Sequence, residues 1–335
     1  MAGVILMFSR SQFKSIVIAR ILFLCIVVSL QSVVGQEFGH AEDAEEAVRW
    51  YRMAAEQGDA AAQFQLGFCY QHGTGVPKDA EEAVRWYRMA AEQGDADAQR
   101  NLGACYSYGI GVQEDHRAAV RWFLIAAEQD DAEAQYNLGY CYQHGTGVLR
   151  DDRAAARWYR KAAEQGSAKA QGNLGYFYYH GIGTREDVEE AVRWYRMAAE
   201  QGLAGAQFNL GYCYYHGTGV QEDERVAVRW YRMAAEQGLA GAQFNLGYCY
   251  SNGIGVQKDG EEAVRWYRMA AAQGSDEAQF NLGHCYYHGT GIQKDAEEAV
   301  RWYRMAADQG LARAQFNLGV CYADGTGVQK DAEEA

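Results

Sequence analysis

Residues 203–238 read LAGAQFNLGYCYYHGTGVQEDERVAVRWYRMAAEQG, and this stretch recurs, whole or varied, through everything after residue 40. Trp50, Trp86, Trp122, Trp158, Trp194, Trp230, Trp266 and Trp302 are all the tryptophans of the chain, each 36 residues after the last. The Leu-Gly pair keeps the same step from Leu66-Gly67 to Leu318-Gly319. A fixed period in this range is the signature of a solenoid or array.

Each repeat reads as two helices. Leu203, Ala206, Leu210, Cys213 and Tyr214 fall on one face of the first at 100° per residue. The second opens on an acidic cap: Asp precedes Glu by three residues at Asp43/Glu46, Asp79/Glu82, Asp187/Glu190, Asp259/Glu262, Asp295/Glu298 and Asp331/Glu334. That spacing predicts a capping box, each carboxylate accepting from an otherwise unpaired N–H. Ala263, Val264, Tyr267, Ala270 and Ala271 form the buried stripe of the second helix, and glycines such as Gly58, Gly202 and Gly238 close it where φ turns positive. The Gly-x-Gly between the helices, Gly217 and Gly219 here, reads as the tight turn of a helical hairpin.

The first 35 residues differ. Arg10, Lys14 and Arg20 precede the apolar run ILFLCIVVSL, there is no acid, and Val33 and Gly35 are small. This is the pattern of a secretory signal cleaved after Gly35. A membrane anchor is the rival reading, but Arg20 leaves the run shorter than the ~20 residues a span needs. Cys25 has no small residue before it, against a lipid attachment site. Cleavage would remove those three cations and no anion, taking the net charge from −13 to −16. Such a chain repels nucleic acid and anionic membrane surfaces. Its charges sit on the second helix, where Glu45–Arg49, Glu81–Arg85, Glu189–Arg193, Glu261–Arg265 and Glu297–Arg301 stand four apart and are expected to pair on a solvated face.

After a short lead-in, 36–40, the solenoid is expected over 41–335: a half repeat at 41–58, full repeats over 59–310, and a truncated repeat at 311–335. No linker breaks it and Pro77 is the only proline, so one elongated array is expected, each repeat burying its apolar faces against its neighbours. Asp130 replaces a closing glycine and should leave that helix end less well closed. Gly172 replaces an aromatic inside a first helix and should weaken it by ~1 kcal/mol; Phe177 stands where the other copies have cysteine. The softest part is therefore expected in the third and fourth full repeats. Arg193–Tyr214 and Arg229–Tyr250 are identical residue for residue, which suggests recent internal duplication. The last repeat stops inside the opening turn of its second helix. That end is expected to fray or to be covered, end-to-end self-association being one means.

AQFNLGYCYYHGTGV followed by DAEEAVRWYRMAAEQG resembles the Sel-one-like repeat, a relative of the tetratricopeptide repeat. Its pattern is carried here by Ala206, Leu210-Gly211, Tyr214, Gly217, Gly219, Ala227, Trp230-Tyr231, Ala234-Ala235 and Gly238. The resemblance spans roughly 41–335. It implies an all-α solenoid, a right-handed superhelix of antiparallel helix hairpins, that serves as an adaptor in protein assemblies and has no chemistry of its own. It also implies that bacterial members are often exported and tied to host interaction or envelope functions, and that a eukaryotic branch works in the luminal handling of misfolded proteins. A cysteine-rich branch pairs cysteines within each repeat; with one per repeat here, that pairing does not carry over.

Cys69, Cys105, Cys141, Cys213, Cys249, Cys285 and Cys321 share one position on the buried face. Equivalent points on stacked helices lie ~8–10 Å apart, beyond the ~7 Å a disulfide tolerates. They are expected to be buried, free thiols.

The other face of the first helix is aromatic and polar where an outward face is usually charged. Its Phe208 position reads Phe64, Arg100, Tyr136, Gly172, Phe208, Phe244, Phe280 and Phe316 along the chain; its Tyr212 position reads Phe68, Ala104, Tyr140, Tyr176, Tyr212, Tyr248, His284 and Val320. Asn209, Asn245, Asn281, Tyr215, His216 and His288 share this side. The family resemblance lines the concave groove with first helices, so these residues are expected to hold a protein or extended peptide: rings for contact area, Asn for backbone pairing. Packing between adjacent first helices is the competing use of part of this stripe.

Chemical motifs are few. Ser11-Gln12-Phe13-Lys14 has the Ser-x-x-Lys spacing of penicillin-recognising enzymes but sits in the signal-like segment. The Gly-x-Gly turns lack the Lys and the strand of a phosphate loop. His284 and His288 stand four apart with no third ligand in view. No metal and no cofactor is expected. The expected function is a non-catalytic adaptor or scaffold, exported to the periplasm, the outside or a lumen. The alternatives are a weak cell-wall or β-lactam hydrolase and a purely structural spacer.

Overall fold

The computed structural model describes residues 40–328. The signal-like segment 1–35 with Cys25, the lead-in up to residue 39 and the Asp331/Glu334 pair lie outside the described residues. Among these residues there are sixteen helices and no strand.

The chain divides into two compact units, one ending at Arg150 and the other beginning at Asp151. The first holds α1 (His40–Glu56), α2 (Ala60–His72), α3 (Ala80–Glu92), α4 (Ala96–Tyr108), α5 (His116–Glu128) and α6 (Ala132–His144). The second holds α7 (Asp152–Glu164), α8 (Ala168–His180), α9 (Val188–Glu200), α10 (Ala204–His216), α11 (Glu224–Glu236), α12 (Ala240–Asn252), α13 (Gly260–Ala272), α14 (Asp276–His288), α15 (Ala296–Asp308) and α16 (Ala312–Asp324). Even numbers are first helices of a repeat and odd numbers second helices. Within each unit every helix packs on the one before and the one after it. This is an all-α solenoid architecture.

The acidic caps form, but as half boxes. Asp79 Oδ1 accepts from the N–H groups of Glu81 and Glu82 at 3.1 and 3.0 Å. The reciprocal bond is absent because the Asp79 N–H already donates to the Tyr70 carbonyl at the end of α2. Asp187, Asp259 and Asp295 spend their N–H groups in the same way, on Tyr178, Tyr250 and Tyr286. Glu82 is thereby released to Arg85 at 3.2 Å, as Glu190 is to Arg193 and Glu262 to Arg265. The ion pairs thus stand three apart, not four as the spacing predicts. The guanidiniums of Arg85 and Arg265 also lie over the rings of Trp86 and Trp266. Asp43 is no cap at all, since α1 begins before it. Asp115, Asp151 and Asp223, with no glutamate three residues on, cap their helices just as well.

Leu203 is the N-cap of α10 and stands outside the helix, partly buried and with no cap bond from its side chain. The expected stripe is otherwise present. Ala206, Leu210 and Cys213 are buried, Tyr214 is half-buried, and all five expected residues of α13 are buried along with Trp266. The closing glycines take the left-handed conformation, and so does Asp130, at φ 64°. Contrary to expectation, the end at Asp130 is closed like the others: its N–H reaches the Ala127 carbonyl at 3.2 Å, as that of Gly166 reaches Ala163 at 3.0 Å. Gly172 leaves room that a neighbour occupies. A Cβ there would meet Leu203 Cδ2 at 2.8 Å, so the leucine fills the space of the missing aromatic.

The second glycine of each turn ties one repeat to the previous one. A Cβ on Gly219 would meet the carbonyl oxygen of Val188, the first residue of α9, at 2.3 Å. Gly75, Gly111, Gly183 and Gly327 approach Ala44, Ala80, Asp152 and Ala296 in the same manner. Only glycine permits both this approach and the positive φ.

Candidate interaction face

The expected groove residues separate into three tiers. The Phe208 row is half-buried. Phe64, Phe208, Phe244 and Phe280 pack at 5.8, 5.9, 6.1 and 5.6 Å on the rings of Tyr87, Tyr231, Tyr267 and Tyr303 in the helix that follows. Tyr136 is likewise half-buried. These residues belong to the packing, which corrects the expectation that they offer a free surface. The apolar rim of the hairpin needs cover, and the nearest ring supplies it. Phe316 is the exception at 72 % exposed. Where Arg100 stands in this row, an ion network replaces the ring contact: it reaches Asp131 at 3.1 Å and Glu133 at 3.0 Å.

The Asn row is half-buried as well. Asn245 lies beside the hydroxyl of Tyr231 and Asn317 beside that of Tyr303, where each offsets part of the upward push of burial on the phenol. Asn209, Asn245 and Asn281 keep only part of their surface open to solvent.

The Tyr212 row is the exposed tier. Phe68, Tyr140, Tyr176, Tyr212 and Tyr248 are 39–47 % exposed. Each of four packs, tilted, against the histidine four residues later: Phe68 against His72, Tyr140 against His144, Tyr176 against His180 and Tyr212 against His216, with centroids 4.2–4.3 Å apart. His284 and His288 repeat the geometry at 4.3 Å. On the other side the histidine meets a half-buried tyrosine edge-on, Tyr215 against His216 at 4.8 Å and Tyr287 against His288 at 5.0 Å. Burial, and then the neighbouring His288, hold His284 below the ordinary histidine range. Among the described residues no group of three or more His, Cys, Asp or Glu is placed to hold a metal.

Two networks brace this face, and neither was anticipated from the sequence. The first runs through the buried glutamines that follow Ala206 and its counterparts. Gln207 Nε2 donates to the Ala199 carbonyl at 3.1 Å, and its Oε1 accepts from Gln237 Nε2 at 2.8 Å. Gln63, Gln99, Gln171, Gln243 and Gln279 make the same two bonds, each spanning neighbouring helix ends. The strict Ala-Gln pair at one period was the available signal. The second network is Arg to Tyr eighteen residues on: Arg196 Nη2 donates to Tyr214 Oη at 2.9 Å, Arg88 to Tyr106 at 2.8 Å, and Arg232 to Tyr250.

The seven described cysteines are buried and free. Burial pushes the thiols of Cys69, Cys105, Cys141, Cys213 and Cys285 up to about 11, and burial with Glu224 pushes that of Cys249 to about 12. Among the described residues no helix is long and apolar enough to cross a membrane.

No curated protein matches this chain. Among solved structures it is similar to c5321, a protective antigen of uropathogenic Escherichia coli displaying an SLR fold, at 38 % identity over 87 % of this chain and 70 % of that one, with a TM-score of 0.65. It is also similar to a Sel1 repeat protein from Oxalobacter formigenes, at 34 % identity over 90 % of this chain and 88 % of that one, with a TM-score of 0.64. The family model of the Sel1 repeat matches residues 33–59, 60–95, 96–131, 132–167, 168–203, 204–239, 240–275, 276–311 and 312–335. The chain therefore belongs to the Sel1 repeat family, whose helical solenoids generally serve as non-catalytic scaffolds for protein interaction.

Proposed function

We propose that this chain is an exported, non-catalytic scaffold that holds a protein or an extended peptide on the exposed face of its first helices. The observation that carries the reading is the row of part-exposed rings, of which Phe68, Tyr140, Tyr176 and Tyr212 pack in the same tilted way against a histidine one helical turn later. Rings immobilised before binding supply contact area without the entropic cost of ordering them. A repeated exposed aromatic is also unusual on a surface with no partner. Export rests on the sequence of residues 1–35 alone: cations, an apolar run, then small residues.

The test is crosslinking in the native host. A photo-reactive amino acid replaces Tyr212 or Tyr248 in one pair of variants, and Arg229 or Arg265 on the second helices in another. Adducts to one protein from the first pair and none from the second support the reading. Adducts from the second pair alone, or none from either, overturn it.

A further inference from the structure

We propose that the second helices carry a row of modification sites: Met53, Met89, Met197, Met233, Met269 and Met305 accept an oxygen atom from a peroxide, reversibly and without loss of the fold.

The first observation is placement. These six are all the methionines of the described residues, and all stand at one position of the second helix, three residues after its tryptophan. Each is 37–48 % exposed. Methionine in a core fills irregular gaps, but none of these six is buried. Ile125 and Lys161 hold the same position in α5 and α7. Lys161 is exposed there, with its ammonium over the Trp158 ring at 4.6 Å. A position that accepts a charge makes no packing demand for a thioether.

The second observation is the contrast with the other sulfur of the chain. The seven described cysteines are only 1–5 % exposed. A thiol reacts as its thiolate, and burial keeps these groups in the thiol form at neutral pH. A thioether has no proton to lose; its sulfur lone pair reacts wherever the oxidant can reach it. The fold therefore offers its thioethers to a peroxide and withholds its thiols.

The third observation concerns the product. The methionine sulfur takes one oxygen of the peroxide, the O–O bond breaks, and the departing hydroxide or alkoxide takes up a proton to leave as water or alcohol. Sulfur loses two electrons and the peroxide gains them. A sulfoxide is polar and disrupts a core, but on these exposed side chains the new oxygen meets water. The return step needs a reductase with access to the side chain: a dithiol becomes a disulfide, and the sulfoxide oxygen leaves as water. The same exposure serves both directions.

The test treats the full chain with hydrogen peroxide at pH 7 and maps the products by peptide mass spectrometry. Sulfoxide should form at all six positions, at rates within about threefold of a short methionine peptide, since susceptibility follows exposure. The seven thiols should still titrate in urea, and helicity by circular dichroism should be unchanged. A methionine sulfoxide reductase with a dithiol should restore the original mass. A variant with all six changed to leucine should keep its helicity and gain no oxygen beyond residue 40, which separates the thioethers from the neighbouring indoles. Single Met233→Leu, should the sixfold variant not fold, must lose oxygen uptake in its own peptide and keep it in the other five. In the native host under peroxide stress the recovered chain should carry sulfoxide at these positions. Rates about tenfold or more below the peptide's, thiols consumed before thioethers, or helicity lost as sulfoxide forms would each overturn the proposal. Equal oxygen uptake by the leucine variants, or an unmodified chain from stressed cells, would overturn it too.

Discussion

The ring of Tyr231 lies directly on Gly211: a Cβ added to that glycine would meet Tyr231 Cδ1 at 2.8 Å. Gly67 and Tyr87, Gly103 and Phe123, Gly175 and Tyr195, Gly247 and Tyr267, and Gly283 and Tyr303 stand in the same relation. The Leu-Gly pair that marks the period is therefore one structural device. Leucine fills the hairpin core, and glycine lets the aromatic of the second helix approach the backbone of the first. The same ring is then covered from outside by Phe208, which is why that phenylalanine belongs to the packing and not to the free surface.

Gly211→Ala should destabilise the chain although alanine is the better helix former. The helix gain is about 1 kcal/mol, whereas forcing a methyl into a packed ring costs about 1–3 kcal/mol. Gly205 is the control: it lies on the same helix with nothing within 4 Å of its added Cβ. Gly205→Ala should stabilise by up to about 1 kcal/mol. Urea midpoints of the two variants should move in opposite directions; movement in the same direction would contradict the account of the Leu-Gly pair.

Gln207→Leu should expose how far the glutamine bonds hold neighbouring helices together. The substitution keeps the volume but removes a donor to Ala199 and an acceptor for Gln237. The Ala199 carbonyl keeps the Gly202 N–H at 3.0 Å, so the cost is that of the lost side-chain bonds, about 0.5–1.5 kcal/mol each. In a chain whose stability is a sum over neighbours, the loss is local. Hydrogen exchange should quicken at the ends of α9 and α11 and stay unchanged at α15. Uniform quickening along the chain would show that the ladder is not a local tie.

The architecture was legible in the sequence because period, glycine turns and apolar spacing all point to one hairpin. The site was legible only in part. Helical spacing put Phe208, Asn209 and Tyr212 on one side of the first helix; of the three only Tyr212 is exposed. It could not tell that Phe208 folds back onto Tyr231, because the partner comes from the other helix of the hairpin. Gln207 stayed invisible for the opposite reason: a polar residue one place after a buried alanine reads as surface, and its bonds to the Ala199 carbonyl and to Gln237 make its burial tolerable. The ion pairs moved from four to three residues apart because the Asp79 N–H was already engaged with Tyr70.

Asp130→Gly should stabilise the first unit. Asp130 sits at φ 64°, a conformation that costs a residue with a Cβ about 1 kcal/mol or more and costs glycine nothing. Its side chain returns only a 3.4 Å contact with Gln135. The melting temperature should rise by a few degrees, in keeping with about 0.5–1 kcal/mol. An unchanged or lower midpoint would mean that the Gln135 contact matters more than its length implies.

The buried thiols should make the fold fail on the alkaline side. A free cysteine ionises near 8.5, whereas burial raises five of these thiols to about 11 and Cys249 to about 12. The folded chain thus keeps protons that the unfolded chain releases. Each such thiol contributes stability that is fully present below pH ~8.5 and is lost as pH rises through its folded value. Burial raises Tyr195, Tyr231 and Tyr267 as well, which adds a loss in the same direction above pH ~10. Urea midpoints should therefore be level between pH 7 and 8 and fall steadily from pH 9 to 11. A thiol reagent at pH 8 should label the folded protein slowly and the urea-unfolded protein at once. In Cys213→Ala the alkaline fall should become shallower, since one buried proton has been removed. A midpoint that holds to pH 11, or thiols that label rapidly in the folded state, would show that these side chains are open to solvent.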